Sequence, residues 1–188
     1  MFLVLLVSVA FGQKCTLLPD SESIDPNPSL VKCYRQNGDA CCVSAHDQNI
    51  QSVYTEAFPT QCQREYDNME DYFCFGCHPS QGKYTFESNQ TIYMCKDYAE
   101  SIWGEKLTKP SSHYDNCGMY TYWRANPTTV MPSLEWKDGY AFFEEVKPPY
   151  FENYTIVIRE HNCFNSSWEI KADVLIFCML GWLMRFLI

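Results

Sequence analysis

Cysteine is the residue with the most chemistry in this chain. Eleven occur in 188 residues, and six of them fall between Cys33 and Cys77. Cys74 and Cys77 close that stretch as C-x-x-C, the spacing of a redox dithiol. Such a dithiol sits beside a thioredoxin-like βαβ pattern, and none is found around it. Cys41 and Cys42 are adjacent and can hardly bond each other without strain, so each must reach a different partner. The stretch therefore reads as a staple that gathers other segments to one point. The four histidines, His46, His78, His113 and His161, are scattered, and bonded sulfurs beside His78 would make poor metal ligands. No Ser-His-Asp spacing, phosphate-binding glycine loop or paired-carboxylate motif stands out. The residues predict a binding protein, not an enzyme, with no metal and no cofactor.

The ends decide what state these sulfurs are in. Residues 1–12 read MFLVLLVSVAFG, an apolar run too short to span a bilayer comfortably, with small residues before a cleavage point after Gly12. This is read as a signal peptide; the alternative is a buried N-terminal strand. Val174 to Ile188 is a second apolar run, interrupted by Arg185. A polar spacer, Trp168 to Asp173, and the small residues Asn165-Ser166-Ser167 precede it. Together they read as a GPI-attachment signal, with Asn165 as attachment residue and 166–188 removed; a tail-anchored helix is the rival. What remains, 13–165, is one domain on the extracellular face of the plasma membrane, reached through the secretory pathway. It keeps ten cysteines once Cys178 leaves with the tail, an even number that implies a disulfide framework. Five bridges at about 2–4 kcal/mol each would offset much of the entropy that a small core cannot. Sequons at Asn89-Gln90-Thr91 and Asn153-Tyr154-Thr155 fit the same compartment; a third, at Asn165, is moot if the lipid is attached there. The net charge is −9 and no basic stretch survives, which excludes nucleic acid and anionic membrane surfaces as partners.

The elements that must position these residues are short. Ile50, Val53, Tyr54 and Ala57 make one helical stripe, with Asp47 as its cap and Pro59 beyond its end. Cys62, Tyr66, Met69 and Phe73 make a second stripe. Cys95, Ala99, Ile102, Trp103 and Leu107 make a third, weakened by Gly104. Met119–Trp123, Tyr140–Phe143 and Tyr154–Ile158 read as strands or extended segments, and Trp136 precedes a Lys-Asp-Gly turn signal. The expected fold is α+β and disulfide-rich: three or more helices, short strands and long loops.

This pattern resembles the folate receptor family, which includes riboflavin-binding proteins and an egg-surface sperm receptor. The residues that carry the likeness are ACC at Ala40 to Cys42, a helix bearing Tyr54, Cys62, CFGCHPSQG from Cys74 to Gly82, and CKD from Cys95 to Asp97. Farther on, NPTTVMPSLEWKDGY from Asn126 to Tyr140 resembles the family's Pro-Thr-x-Val segment. The resemblance covers roughly Cys15 to Cys163 and implies the pairs Cys15–Cys41, Cys33–Cys74, Cys42–Cys77, Cys62–Cys117 and Cys95–Cys163. Where the family has further cysteines, this chain has Ala99, Lys106 and Ser133 or a deletion.

In folate-binding relatives a Tyr and a Trp stack on the pterin ring and an Asp accepts its N–H groups. Flat heteroaromatics suit parallel ring faces, and a carboxylate offers acceptors to paired donors. By position the resemblance gives these roles to Tyr54, Trp136 and Asp71, with Tyr140 as a further pocket tyrosine. The plainer readings are a core Tyr54, a solvated Asp71 and a Trp136 that covers a disulfide. Relatives also use two arginines before the matched Cys95 and a Trp- and Lys-rich loop along the ligand's tail. Here Thr85 to Met94 holds no Arg or Lys, and only Lys106 to Asn116 fills the later stretch. Without those two charged partners, binding would weaken about a hundredfold or more. Two functions follow as expectations: a cell-surface receptor for a folate-, pteridine- or flavin-like molecule in an aromatic cleft, or a recognition and adhesion module that has lost vitamin binding and meets a cell-surface protein.

Overall fold

The computed structural model describes residues 14–18, 20, 22–58, 60, 63, 67–110 and 136–166. Among these the chain is α+β, with five α-helices, one three-stranded sheet and several disulfides. The segment Met119–Trp123, the bridge Cys62–Cys117, residues 1–12 and the tail beyond Ser166 lie outside the described residues.

Helix α1 spans Ser44–Ala57, and Ile50, Tyr54 and Ala57 form its buried stripe, as the spacing predicts. Asp47 does not cap it. The His46 ring accepts the N–H of Val43 at the N-cap, at 3.3 Å. Asp47 sits inside the first turn, 1% exposed, where its carboxylate accepts the N–H groups of Val31 and Lys32 on Oδ2 and of Cys33 on Oδ1. A buried carboxylate with three charge-assisted donors is strongly placed. It pins the 31–33 segment to α1 where a cap would only finish the helix.

Helix α2, Asp67–Phe73, runs into a 3-10 turn at Cys74–Cys77. With three residues per turn, positions i and i+3 lie above each other. The C-x-x-C pair therefore faces one way, toward Cys33 and Cys42. Helix α3, Gln81–Tyr84, leads into strand β1, Thr85–Phe86, and a hairpin returns as β2, Thr91–Cys95. Strand β3, Thr155–Arg159, pairs with β2 in parallel, Thr91 opposite Thr155 through Cys95 opposite Arg159, in the order β1-β2-β3. Phe164 adds one further parallel bridge to Met94.

Helix α4, Lys96–Trp103, buries Tyr98, Ala99, Ile102 and Trp103. Gly104 does not weaken this helix; at φ 77° it ends it, the left-handed C-cap that glycine adopts without a Cβ clash. Tyr140–Phe143 is not a strand. It belongs to helix α5, Gly139–Glu145, because the Asp-Gly pair that reads as a turn is an N-cap: the Asp138 carboxylate accepts the Ala141 N–H at 2.9 Å. Gly139 is fixed by contact, since a Cβ there would lie 2.6 Å from Leu107 and 3.0 Å from Trp103.

Four bridges are present, Cys15–Cys41, Cys33–Cys74, Cys42–Cys77 and Cys95–Cys163, with Cα separations of 5.1, 5.5, 4.6 and 4.9 Å. They surround an aromatic core in which Tyr54, Phe58, Tyr72, Phe73, Phe75, Trp103, Phe142, Phe151 and Phe164 are essentially sealed from solvent.

Candidate functional site

Tyr54 lies on the buried stripe of α1, 1% exposed. Phe58 lies tilted against it at 4.7 Å and Phe73 meets it edge-on at 5.4 Å. The Lys32 ammonium sits over its ring, 3.7 Å from the centroid, and also pairs with Glu70. An ammonium at this distance is held by the ring quadrupole.

Asp71 lies on α2 with its side chain 16% exposed. It is not simply solvated. Arg35 Nη1 straddles its two oxygens, 2.9 Å from Oδ1 and 2.8 Å from Oδ2. The Tyr34 hydroxyl, and after it the Asp71 carboxylate, hold the Arg35 guanidinium above its ordinary value. On the neighbouring α4, burial pushes the fully enclosed Tyr98 hydroxyl well above its usual range, and the Asp71 charge adds to that push.

Trp136 is 2% exposed at the approach to α5. Its indole N–H donates to Glu145 Oε2 at 2.6 Å, and its ring meets Phe142 edge-on at 5.1 Å. Tyr140, on the same helix, is 45% exposed.

Ring contacts join two of these residues into one system: Tyr54 to Phe73, Phe73 to Tyr72, Tyr72 to Phe143, Phe143 to Phe142, and Phe142 to Trp136. Asp71 adjoins this relay through its neighbour Tyr72, whose hydroxyl donates to Val146 O at 2.7 Å. Tyr140 stays at the surface. A depression of about 360 Å³ at the end of α4 is lined by Glu100, Ser101, Gly104, Glu105 and Lys106.

Lys32, Arg35 and Glu70 are the residues that sequence reasoning missed. The signal was the bridge Cys33–Cys74 itself. Lys32 and Arg35 flank one of its sulfurs, and Glu70 and Asp71 precede the other by a helical turn. Closing the bridge sets a basic pair against an acidic pair.

The sulfurs of Cys74 and Cys77 are bonded to Cys33 and Cys42, not to each other. His78 beside them is mostly buried, its ring edge-on to Phe164 at 4.9 Å. Its Nδ1 accepts the Ser80 N–H at 3.1 Å, and burial pushes its pKa down to about 4, with Asp39 pulling weakly the other way. Among the described residues no group of three or more His, Cys, Asp or Glu is placed to hold a metal ion. Among them, too, no helix is long and apolar enough to cross a membrane.

No family model matches the sequence, and neither a curated protein nor a solved structure matches it.

Proposed function

We propose that this chain is a cell-surface recognition module of folate receptor-like build, lipid-anchored through Asn165, whose small-molecule cleft is filled by its own side chains. The observation that carries this reading is the occupancy of the acceptor and of the ring. Both Asp71 oxygens take Arg35, and the Tyr54 ring takes Lys32. A pterin would need that carboxylate for its N–H groups and that ring for stacking. Both partners of the Arg35–Asp71 pair are partly exposed, so a ligand that displaces it gives up about 1 kcal/mol or less and must also supply new donors to the same oxygens. The four bridges match pairs that the resemblance implies, which supports the family reading. A rigid stapled surface suits binding to another protein, since little interface entropy is lost on docking.

The second reading is a receptor for a folate-, pteridine- or flavin-like molecule. The ring relay from Tyr54 to Trp136 favours it, because it joins both candidate stacking rings within one aromatic core. Titrating folate and riboflavin into the secreted ectodomain, followed by tryptophan fluorescence, separates the two. The recognition reading expects no saturable change up to millimolar ligand. Saturable quenching that is lost in Trp136→Phe would overturn it in favour of the receptor.

A further inference from the structure

Phe86 is a large apolar ring, 41% exposed, at the tip of the β1–β2 hairpin. It closes β1 opposite Thr91, the first residue of β2. Directly opposed residues of an antiparallel pair share a face, and so does the residue two farther along. Phe86, Thr91 and Tyr93 are therefore on one face, and the Phe86 and Tyr93 rings meet at 4.8 Å. The guanidinium of Arg159 lies 3.2 Å over the Tyr93 ring. This side of Phe86 is supported by Tyr93, and the ring remains 41% exposed, which leaves apolar surface for a neighbouring group to cover.

The loop between Phe86 and Thr91 brings a candidate to it. Glu87–Asn89 form one 3-10 turn and Gln90 follows at φ 47°, a left-handed residue that closes a four-residue hairpin loop. Asn89 is the third residue after Phe86 and stands in the same four-residue loop, within reach of the ring for a group attached to its side chain. Asn89 is exposed, and Asn89-Gln90-Thr91 is a glycosylation sequon. The Thr91 hydroxyl donates to the Asn89 carbonyl at 3.1 Å, which fixes the sequon against the start of β2.

We propose that Asn89 carries an N-linked glycan whose first N-acetylhexosamine packs its apolar C–H face on the ring of Phe86, so that the sugar becomes a structural part of the hairpin. The negative face of an aromatic ring favours such C–H groups. The modification forms a bond between Asn89 Nδ2 and C1 of the sugar of a lipid-pyrophosphate oligosaccharide donor. The C1–O bond to the pyrophosphate breaks and the lipid pyrophosphate leaves with its electron pair. The amide proton passes to a base of the transferase. The inference rests on the cell-surface reading, because that donor and transferase belong to the secretory pathway.

The second sequon is an internal control. Its turn adjoins the first, since the Thr155 N–H donates to Gln90 O at 2.7 Å and Thr155 is opposite Thr91. Asn153 is also exposed, but the ring two residues before it, Phe151, is 2% exposed and packed on Phe75 and Tyr154. Tyr150, three residues before Asn153, is less exposed than Phe86 and its ring is edge-on to His46 at 5.2 Å, so it is the weaker platform of the two.

The test uses the full chain expressed in a mammalian secretory host. Peptide mass spectrometry gives occupancy at Asn89 and Asn153. Thermal unfolding is then compared for the wild type, Asn89→Gln, Phe86→Ala and the double variant, each trimmed to a single sugar. The proposal expects Asn89 to be occupied and its sugar to raise Tm by about 2–4 °C, the shift one such contact gives in a chain of this size. That gain vanishes in the Phe86→Ala background. An equal gain in both backgrounds overturns the proposal. So does a bare Asn89 beside an occupied Asn153, which leaves the cell-surface reading standing; both sites bare would overturn the two together. Phe86→Leu repeats the comparison without the aromatic face should the alanine variant fail to fold.

Discussion

The two halves of this molecule are held by different physics. From Cys15 to Cys77 three bridges gather short helices and a 3-10 turn. Among the described residues from Thr85 to Phe164 one bridge, Cys95–Cys163, spans 68 residues and works beside a strand ladder. The first half has helices but, among the described residues, no strand ladder to tie its loops, so their order comes from covalent links and from side chains such as Asp47 and Asn37. The second half has a sheet that orders itself. The difference teaches that the sulfurs are not evenly valuable: in the first half each bridge is backed by another close by.

Breaking bridges one at a time gives the largest expected effects. Replacing Cys95 and Cys163 together by Ser releases the longest loop, and loop-closure entropy puts the loss at about 4 kcal/mol. Replacing Cys33 and Cys74 together costs less, about 3 kcal/mol, because Cys42–Cys77 still holds the same segments and leaves a closed loop of only about a dozen residues. Urea unfolding of the two double variants checks the order. An equal or reversed order would mean that the knot does not share its load.

Asp47→Ala removes a side chain that stands in for a ladder in the first half. Three backbone N–H groups lose their acceptor, and stability falls by about 2–3 kcal/mol in the same assay. Asp47→Asn keeps one acceptor oxygen and loses less. A neutral Asp47→Ala would show that water replaces the carboxylate there.

The seam between the halves is aromatic. Phe75 and His78 from the first half meet Phe164 from the second, at 4.8 and 4.9 Å. His78 is held neutral there, with a pKa of about 4 against an ordinary 6.5. The unfolded chain binds the proton first as pH falls, so the stability from the neutral ring is complete above about pH 6.5. It is lost progressively down to about pH 4, at most about 3 kcal/mol over that window. His78→Asn keeps an acceptor for the Ser80 N–H and does not titrate, so its stability should be flatter over the same pH range. Thermal melts of both proteins between pH 7 and 4 check this, and parallel curves would contradict it.

The smallest effect is at the charge pair beside the first knot. Arg35→Ala costs about 1 kcal/mol or less, because both partners are partly exposed.

Much of this is legible in the sequence, and the exceptions have physical causes. The stripe of α1 and the strand at 155–159 are readable because single periods fix them, and four bridges agree with the resemblance. Residues 140–143 read as a strand because aromatic content outweighs the Asp138 cap, which only matters once Gly139 is known to lie against Trp103 and Leu107. Strand β2 escapes notice because its parallel partner lies some sixty residues on, and no local signal announces a pairing of that range. The candidate residues Tyr54, Asp71 and Trp136 are named from position alone. Their partners Lys32, Arg35 and Glu145 need the three-dimensional pairing, since ion pairs across a bridge leave no periodic trace.

The central claim is that the carboxylate a heterocycle would need is already engaged by Arg35. Isothermal titration of folate and riboflavin against the purified protein, beside its Asp71→Asn variant, tests this most directly. The account predicts no saturable heat from either protein. Saturable heat from the unaltered protein that disappears in Asp71→Asn would contradict it, since Asp71 would then be serving the ligand and not the arginine.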